Sequence, residues 1–159
     1  MRTVYRIVPA PFAADLSGSG ARIYGGRWNK KAIPVIYTSE SRSLAALEYL
    51  VHTSLTDMPA GIKLVSISFP ARLTEELINI RSLPPYWRMV PAPLDLAEIG
   101  TQWVTTGKTL LLRVPSVVIP QESNIIFNVA HPDMKHVRVA GTEDFEYDSR
   151  LHPLSSGAK

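Results

Sequence analysis

Proline interrupts the last third of the chain so closely that no long regular element fits there. Residues 110–114, 117–119, 125–129 and 137–139 are short β-rich runs, separated by Pro115, Pro120 and Pro132. Proline has no N–H to give a sheet ladder, so it falls at strand ends, and each run is expected as a short strand. Upstream, residues 3–8 and 63–69 alternate in polarity, the second run ending at Pro70, and 32–37 reads as another short strand. Helical spacing is found in two places. Leu44, Leu47, Val51 and Leu55 recur at it behind Ser39, Ser41 and Ser43, whose hydroxyls suit a helix start. Residues 95–106 follow the loop Leu83-Pro84-Pro85-Tyr86-Trp87, with Leu96, Ile99 and Trp103 on the buried face and Gly107 closing the helix. Strands and helices mix without a βαβ repeat, so the class expected is α+β.

Of 159 residues, 45% are apolar and 19% charged, enough to bury one core and too little charge for a disordered chain. One domain over residues 1–153 is expected, with 154–159 as a loose tail. No run approaches a membrane span and no signal peptide opens the chain, so a cytoplasmic protein is expected. The absence of cysteine excludes disulfides and thiolate chemistry. A net charge of +3 suits an anionic ligand, but the basic residues are scattered and form no nucleic-acid face. His52, His131, His136 and His152 have no helical metal spacing, so no metal is expected. Gly18-Ser19-Gly20 opens like a dinucleotide fingerprint, yet Ile23 replaces its third glycine and no helix signal follows. Gly107-Lys108-Thr109 ends like a P-loop whose first glycine is replaced by Gln102. No G-x-S-x-G elbow is present.

Two features stand out. At about 100° per residue, Glu48 lies roughly 20° beyond Leu55 at the edge of the apolar stripe. A partly desolvated carboxylate there is either a functional group or a stripe-edge glutamate reaching solvent or an arginine. In Gly25-Gly26-Arg27-Trp28-Asn29, an arginine fit for bidentate phosphate contacts follows two glycines. The alternative is a tight turn with a surface arginine and a core tryptophan.

Together with Tyr5-Arg6-Ile7-Val8, Gly18-Ser19-Gly20-Ala21-Arg22, Ile36-Tyr37-Thr38 and Ser43-Leu44-Ala45-Ala46-Leu47-Glu48, these residues resemble the RES family of bacterial toxins. Leu112-Arg113-Val114-Pro115-Ser116, Glu122-Ser123-Asn124, Asn128-Val129-Ala130-His131-Pro132 and Phe145-Glu146-Tyr147-Asp148-Ser149-Arg150-Leu151 continue the resemblance in order. It implies a fold similar to ADP-ribosyltransferase toxins, with a split, mostly antiparallel β core and peripheral helices. The family's arginine, glutamate and serine fall at Arg27, Glu48 and Ser116, with Ser123 the alternative serine. Tyr37 is implied as an active-site aromatic, and Gly26 and Asn128 join Arg27, Tyr37 and Ser116 in binding NAD. A cognate antitoxin with a helix-turn-helix DNA-binding region is the implied partner, and oligomerisation stays open.

The chemistry suits these residue types. Loss of nicotinamide from ribose develops oxocarbenium-like charge, which the Glu48 carboxylate can oppose. Arg27 and the glycine-rich backbone can hold a pyrophosphate. Tyr37 offers a flat face and a hydroxyl for a ribose or amide, and Ser116 a hydrogen bond without acting as nucleophile. His52, one turn after Glu48, either orients the carboxylate or is an ordinary surface histidine. NAD cleavage by hydrolysis or phosphorolysis, ADP-ribosylation of a protein, and a nucleic-acid-binding or RNA-cleaving toxin are the three functions carried forward.

Overall fold

Alternating runs too short to stand alone become stable by joining one sheet. The computed structural model describes residues 1–53 and 60–151. Its strands are β1 (Arg2–Pro9), β2 (Val35–Ser39), β3 (Ile62–Phe69), β4 (Glu75–Leu77), β5 (Leu111–Pro115), β6 (Ser123–Asn128) and β7 (Arg138–Phe145). They form a seven-stranded sheet in the order β4-β5-β6-β2-β1-β3-β7, antiparallel except for the β4–β5 pair. The helices are α1 (Ser19–Tyr24), α2 (Arg42–Leu50) and α3 (Leu94–Thr106). The α+β class and the mostly antiparallel core are as expected. The tail 154–159 and Leu55 lie outside the described residues.

The sheet is split along one seam. β1 pairs with β3 at every residue from Arg2↔Phe69 to Pro9↔Ile62, whereas β1 meets β2 only at Tyr5↔Ser39. Side chains from both strands therefore line a pocket at the seam, and α2 packs beside it.

Apolar residues along β5, β6 and β2 serve two cores because successive side chains point to opposite faces. Ile36, Leu111, Ile125 and Phe127 join Phe69 on one face, while Val35, Leu112, Val114 and Ile126 join Trp28, Trp87, Leu96 and Trp103 on the other. Burial on both faces explains why these strands read as nearly continuous apolar runs. α3 closes the second core as its periodicity predicts, with Leu96 and Trp103 buried, Ile99 half-buried, and Gly107 left-handed at φ +58°. It lies so close to Trp28 that a Cβ on Gly100 would sit 1.8 Å from the Trp28 carbonyl oxygen, which only glycine permits.

Three differences from the sequence expectations have local causes. A helix does follow Gly18, but α1 has six residues and no side-chain cap, too short for periodicity to register. β4 is a three-residue edge held by pairing with β5 and by Glu75, which bonds Arg113 at 2.9 Å and Arg2 at 3.0 Å. Residues 117–119 form a turn instead of a strand, because the Ser116 hydroxyl takes the N–H groups of Val118 and Ile119.

Candidate active site

α2 carries the carboxylate. Ser41 caps it, accepting from the Leu44 N–H at 3.1 Å. The face it buries is not the full stripe expected from sequence: Leu44 and Ala45 are buried, while Leu47 is 37% and Val51 57% exposed. Small Ala45 lets the helix approach the sheet with a rotation that turns Val51 into the cleft and half-buries Glu48 and Tyr49. The helix is fastened from two further directions. Arg42 stacks its guanidinium 4.4 Å over the Tyr5 ring, and Tyr147 donates to the Ala46 carbonyl at 2.5 Å. Burial, then the neighbouring Tyr49, pushes the Tyr147 phenol up to about 12, so it remains a donor.

Glu48 is held by one oxygen. Its Oε1 accepts from the Ser116 hydroxyl at 2.8 Å and from the Asn124 amide at 2.5 Å, and no hydrogen bond to Oε2 is found among the described residues. Each partner is fixed as a donor. Ser116 Oγ accepts from Val118 and Ile119 at 3.1 and 3.0 Å, which leaves its own proton for Glu48. Asn124 Oδ1 accepts from the Ser39 hydroxyl at 2.7 Å, which turns its Nδ2 toward Glu48. Both donors thus converge on one oxygen of the carboxylate.

Arg27 sits at the tip of a tight turn. Gly26 and Asn29 form an isolated bridge, Trp28 is buried in the second core, and Asn29 donates to the carbonyls of Ala21, Lys30 and Ile33. Tyr37 Oη donates to Asn29 Oδ1 at 2.7 Å and accepts from the Trp28 N–H at 3.0 Å. A Cβ at residue 26 would lie 2.7 Å from that hydroxyl, so Gly26 permits the turn to lie on Tyr37. Tyr37 is thus placed by its hydroxyl, which has one donor and one acceptor partner in the turn, and it lines the cleft; burial holds its pKa well above the usual tyrosine range. Arg27 reaches across to segment 84–93, donating to Trp87 O at 2.7 Å and Met89 O at 3.1 Å, while Arg88 of that segment donates to Val117 O. Burial lowers the Arg27 pKa, and the nearby Glu48 carboxylate and Tyr37 oppose that shift.

These groups line a cleft of about 990 Å³ bounded by Gly26, Arg27, Tyr37, Glu48, Arg88 and Asn124. A pocket of about 230 Å³ in the seam between β1 and β2 shares Tyr37, Glu48, Tyr49, His52 and Asn124 with it. The larger volume is at the upper end of the range of about 300–1,000 Å³ for small-molecule sites. Arg27, Tyr37, Glu48 and Gly26 come together on the cleft wall, whereas Ser116 is fully buried and reaches it only through Glu48. Asn128 is not brought there: its side chain donates to Val104 O and accepts from the Ala130 N–H. His52 lines both pockets, but the hydrogen bonds found on Glu48 come from Ser116 and Asn124. Ser123 bonds Glu40 through its backbone.

Two groups at the site were not singled out from sequence. Asn124 stands beside Ser123 in the Glu122-Ser123-Asn124 motif, and only strand register shows which of them faces Glu48. Arg6 lines the seam pocket, anchored to the carbonyls of Phe12 and Asp15, with Nε buried and without a partner among the described residues. Desolvation lowers its pKa, partly opposed by Asp15.

Known proteins resemble this chain along most of its length. The chain is 39% identical over 141 residues to a Prs ADP-ribosylating toxin of Sphingobium sp. (strain YBL2), covering 87% of this chain and 88% of that one. It is 38% identical over 150 residues to Toxin Res of Yersinia enterocolitica, covering 93% of this chain and 98% of the relative. The crystal structure of the M. tuberculosis MbcT–MbcA toxin–antitoxin complex contains a similar fold, with a TM-score of 0.68 at 18% identity over 91% of this chain and 84% of that one. The model of the RES domain matches residues 3–148, so nearly every element described above falls within it, and the chain belongs to the RES domain family.

Proposed function

We propose that the chain is a toxin enzyme that breaks the nicotinamide–ribose bond of NAD. The observation that carries this reading is Glu48, held through Oε1 by two oriented donors on a cleft that also contains Arg27. As the bond between the ribose C1′ and the nicotinamide nitrogen breaks, its electron pair leaves with nicotinamide and positive charge grows on the ribose. A carboxylate fixed beside C1′ opposes that charge without reorganising. Water then adds its oxygen to C1′ and releases a proton to solvent, or phosphate takes the place of water. Arg27 keeps part of its donor fork for the pyrophosphate while two of its nitrogens hold segment 84–93. Tyr37 supplies a ring wall for nicotinamide, Arg6 a second cation in the seam pocket, and Ser116 and Asn124 hold Glu48 in place.

A second reading, transfer of ADP-ribose to a protein, is favoured by the Sphingobium relative's name. The two separate on incubation with NAD, with and without bacterial lysate. Free nicotinamide from purified protein alone supports hydrolysis or phosphorolysis. Release that needs lysate, with ADP-ribose retained on protein, supports transfer. Salt-sensitive oligonucleotide binding without response to NAD would replace both with the nucleic-acid reading. We also propose an antitoxin partner, with expression alone arresting growth and co-expression of the antitoxin relieving it. Among the described residues no helix is long and apolar enough to cross a membrane.

A further inference from the structure

The Glu48 carboxylate only accepts, so it selects the donor end of Asn124, and that end keeps its place only if the far end of the amide is anchored. A side-chain amide has a donor end and an acceptor end of nearly the same shape, and only the donor end is useful against a carboxylate. Turned over, Asn124 would place Oδ1 against Glu48 Oε1 and replace attraction with repulsion. The far end of the amide is anchored by Ser39. Its hydroxyl donates to Asn124 Oδ1 at 2.7 Å, and the two residues are directly opposed in the β2–β6 register.

The surroundings leave Ser39 little freedom. It is 3% exposed, and its backbone forms the seam pair with Tyr5. The next residue, Glu40, brackets the start of β6. Its N–H donates to Ser123 O at 3.2 Å, and its Oε1 accepts from the Ser123 N–H at 2.8 Å. Arg113 holds the other Glu40 oxygen at 2.8 Å while bonding Glu75. Strand register thus delivers Asn124 to Ser39, and the hydroxyl anchors the amide at Oδ1 while Nδ2 faces Glu48.

We propose that Ser39 is a positioning residue for the reaction, acting through Asn124 to keep a hydrogen-bond donor on Glu48. The inference rests on Glu48 being the reacting carboxylate of the proposed NAD cleavage. Ser39 lines the seam pocket with Glu48 but bonds Asn124, so its effect through that residue belongs on kcat with the KM for NAD nearly unchanged.

A double-mutant cycle tests this, using Ser39→Ala, Asn124→Ala and the pair, with nicotinamide release and side-chain amide NMR as readouts. Loss of the lock should lower kcat by about tenfold in Ser39→Ala, the scale of one hydrogen bond to a charged group. The same change in the Asn124→Ala background should cost almost nothing, because the residue through which it acts is gone. In the NAD-free protein, the Asn124 NH₂ signals, identified by their loss in Asn124→Ala, should be protected from exchange and lose that protection in Ser39→Ala. Equal kcat losses in both backgrounds, or unchanged amide protection in folded Ser39→Ala, would overturn the proposal. A wild-type chain that releases no nicotinamide removes the NAD reading instead, and the amide spectrum then decides the positioning of Asn124 on its own.

Discussion

β6 carries two asparagines four residues apart on one face, and they have opposite roles. Asn124, half-buried at the start of the strand, aims its amide at Glu48 and lines both pockets. Asn128, 1% exposed at the far end, uses its amide to tie α3 to the sheet through Val104 O and its carbonyl to shape the turn at Ala130. Side-chain chemistry is identical, and the neighbours decide: one asparagine bonds a carboxylate on the cleft wall, the other bonds backbone groups that would otherwise lack that partner.

The largest effect should come from the group that Asn124 serves. Glu48→Gln keeps shape and hydrogen-bonding capacity but removes the charge, and should lower NAD turnover about a hundredfold or more with affinity for NAD little changed. Equal turnover per folded molecule in this variant would end the proposed mechanism. Asn124→Ala should follow, losing one bond to a charged acceptor and about ten- to thirtyfold in kcat, with a melting temperature close to wild type. Asn128→Ala inverts that pattern. It strips the half-buried Val104 carbonyl of its donor, at about 1 kcal/mol, and should lower the melting temperature by roughly 3 °C while turnover per folded molecule persists. Calorimetry alongside nicotinamide release would show both, and an Asn128→Ala protein that is stable yet inactive would return Asn128 to the site.

The contrast between the two asparagines also marks how far the sequence could be read. Period and punctuation revealed α3, every named strand except β4, and the α+β class, because those signals are local. Family resemblance picked out Arg27, Glu48, Tyr37 and Ser116, which the fold gathers around one cleft apart from the buried Ser116. The segments misjudged were governed by particular side-chain contacts and docking, which periodicity does not register. Residues 117–119 have the composition of a strand, but a single buried hydroxyl makes them a turn. Leu47 and Val51 match the spacing of a buried stripe, but the docking of α2 beside the seam leaves them at the surface. Asn124 and Asn128 are both found in recognisable motifs, and only the pairing of β6 with β2 separates them.

The smallest effect expected is the one that separates the two candidate serines. Ser116→Ala should cost kcat about as much as Asn124→Ala and also lower stability, since its hydroxyl both donates to Glu48 and satisfies two backbone N–H groups. Ser123 stands one residue before Asn124, so a hydroxyl there is close to the same chemistry in sequence. Its hydrogen bonds, however, run from backbone to Glu40, and alanine retains every one of them. On β6, side chains of adjacent residues point to opposite faces, so the Ser123 hydroxyl leaves the sheet on the side away from Asn124 and Glu48. Ser123→Ala should therefore leave kcat and KM within about twofold of wild type and shift stability by no more than about 0.5 kcal/mol. Parallel assays of Ser116→Ala and Ser123→Ala decide the matter. A tenfold loss in Ser123→Ala with normal turnover in Ser116→Ala would transfer the family serine to residue 123, and would mean that β6 holds Glu48 from a different face than the one described.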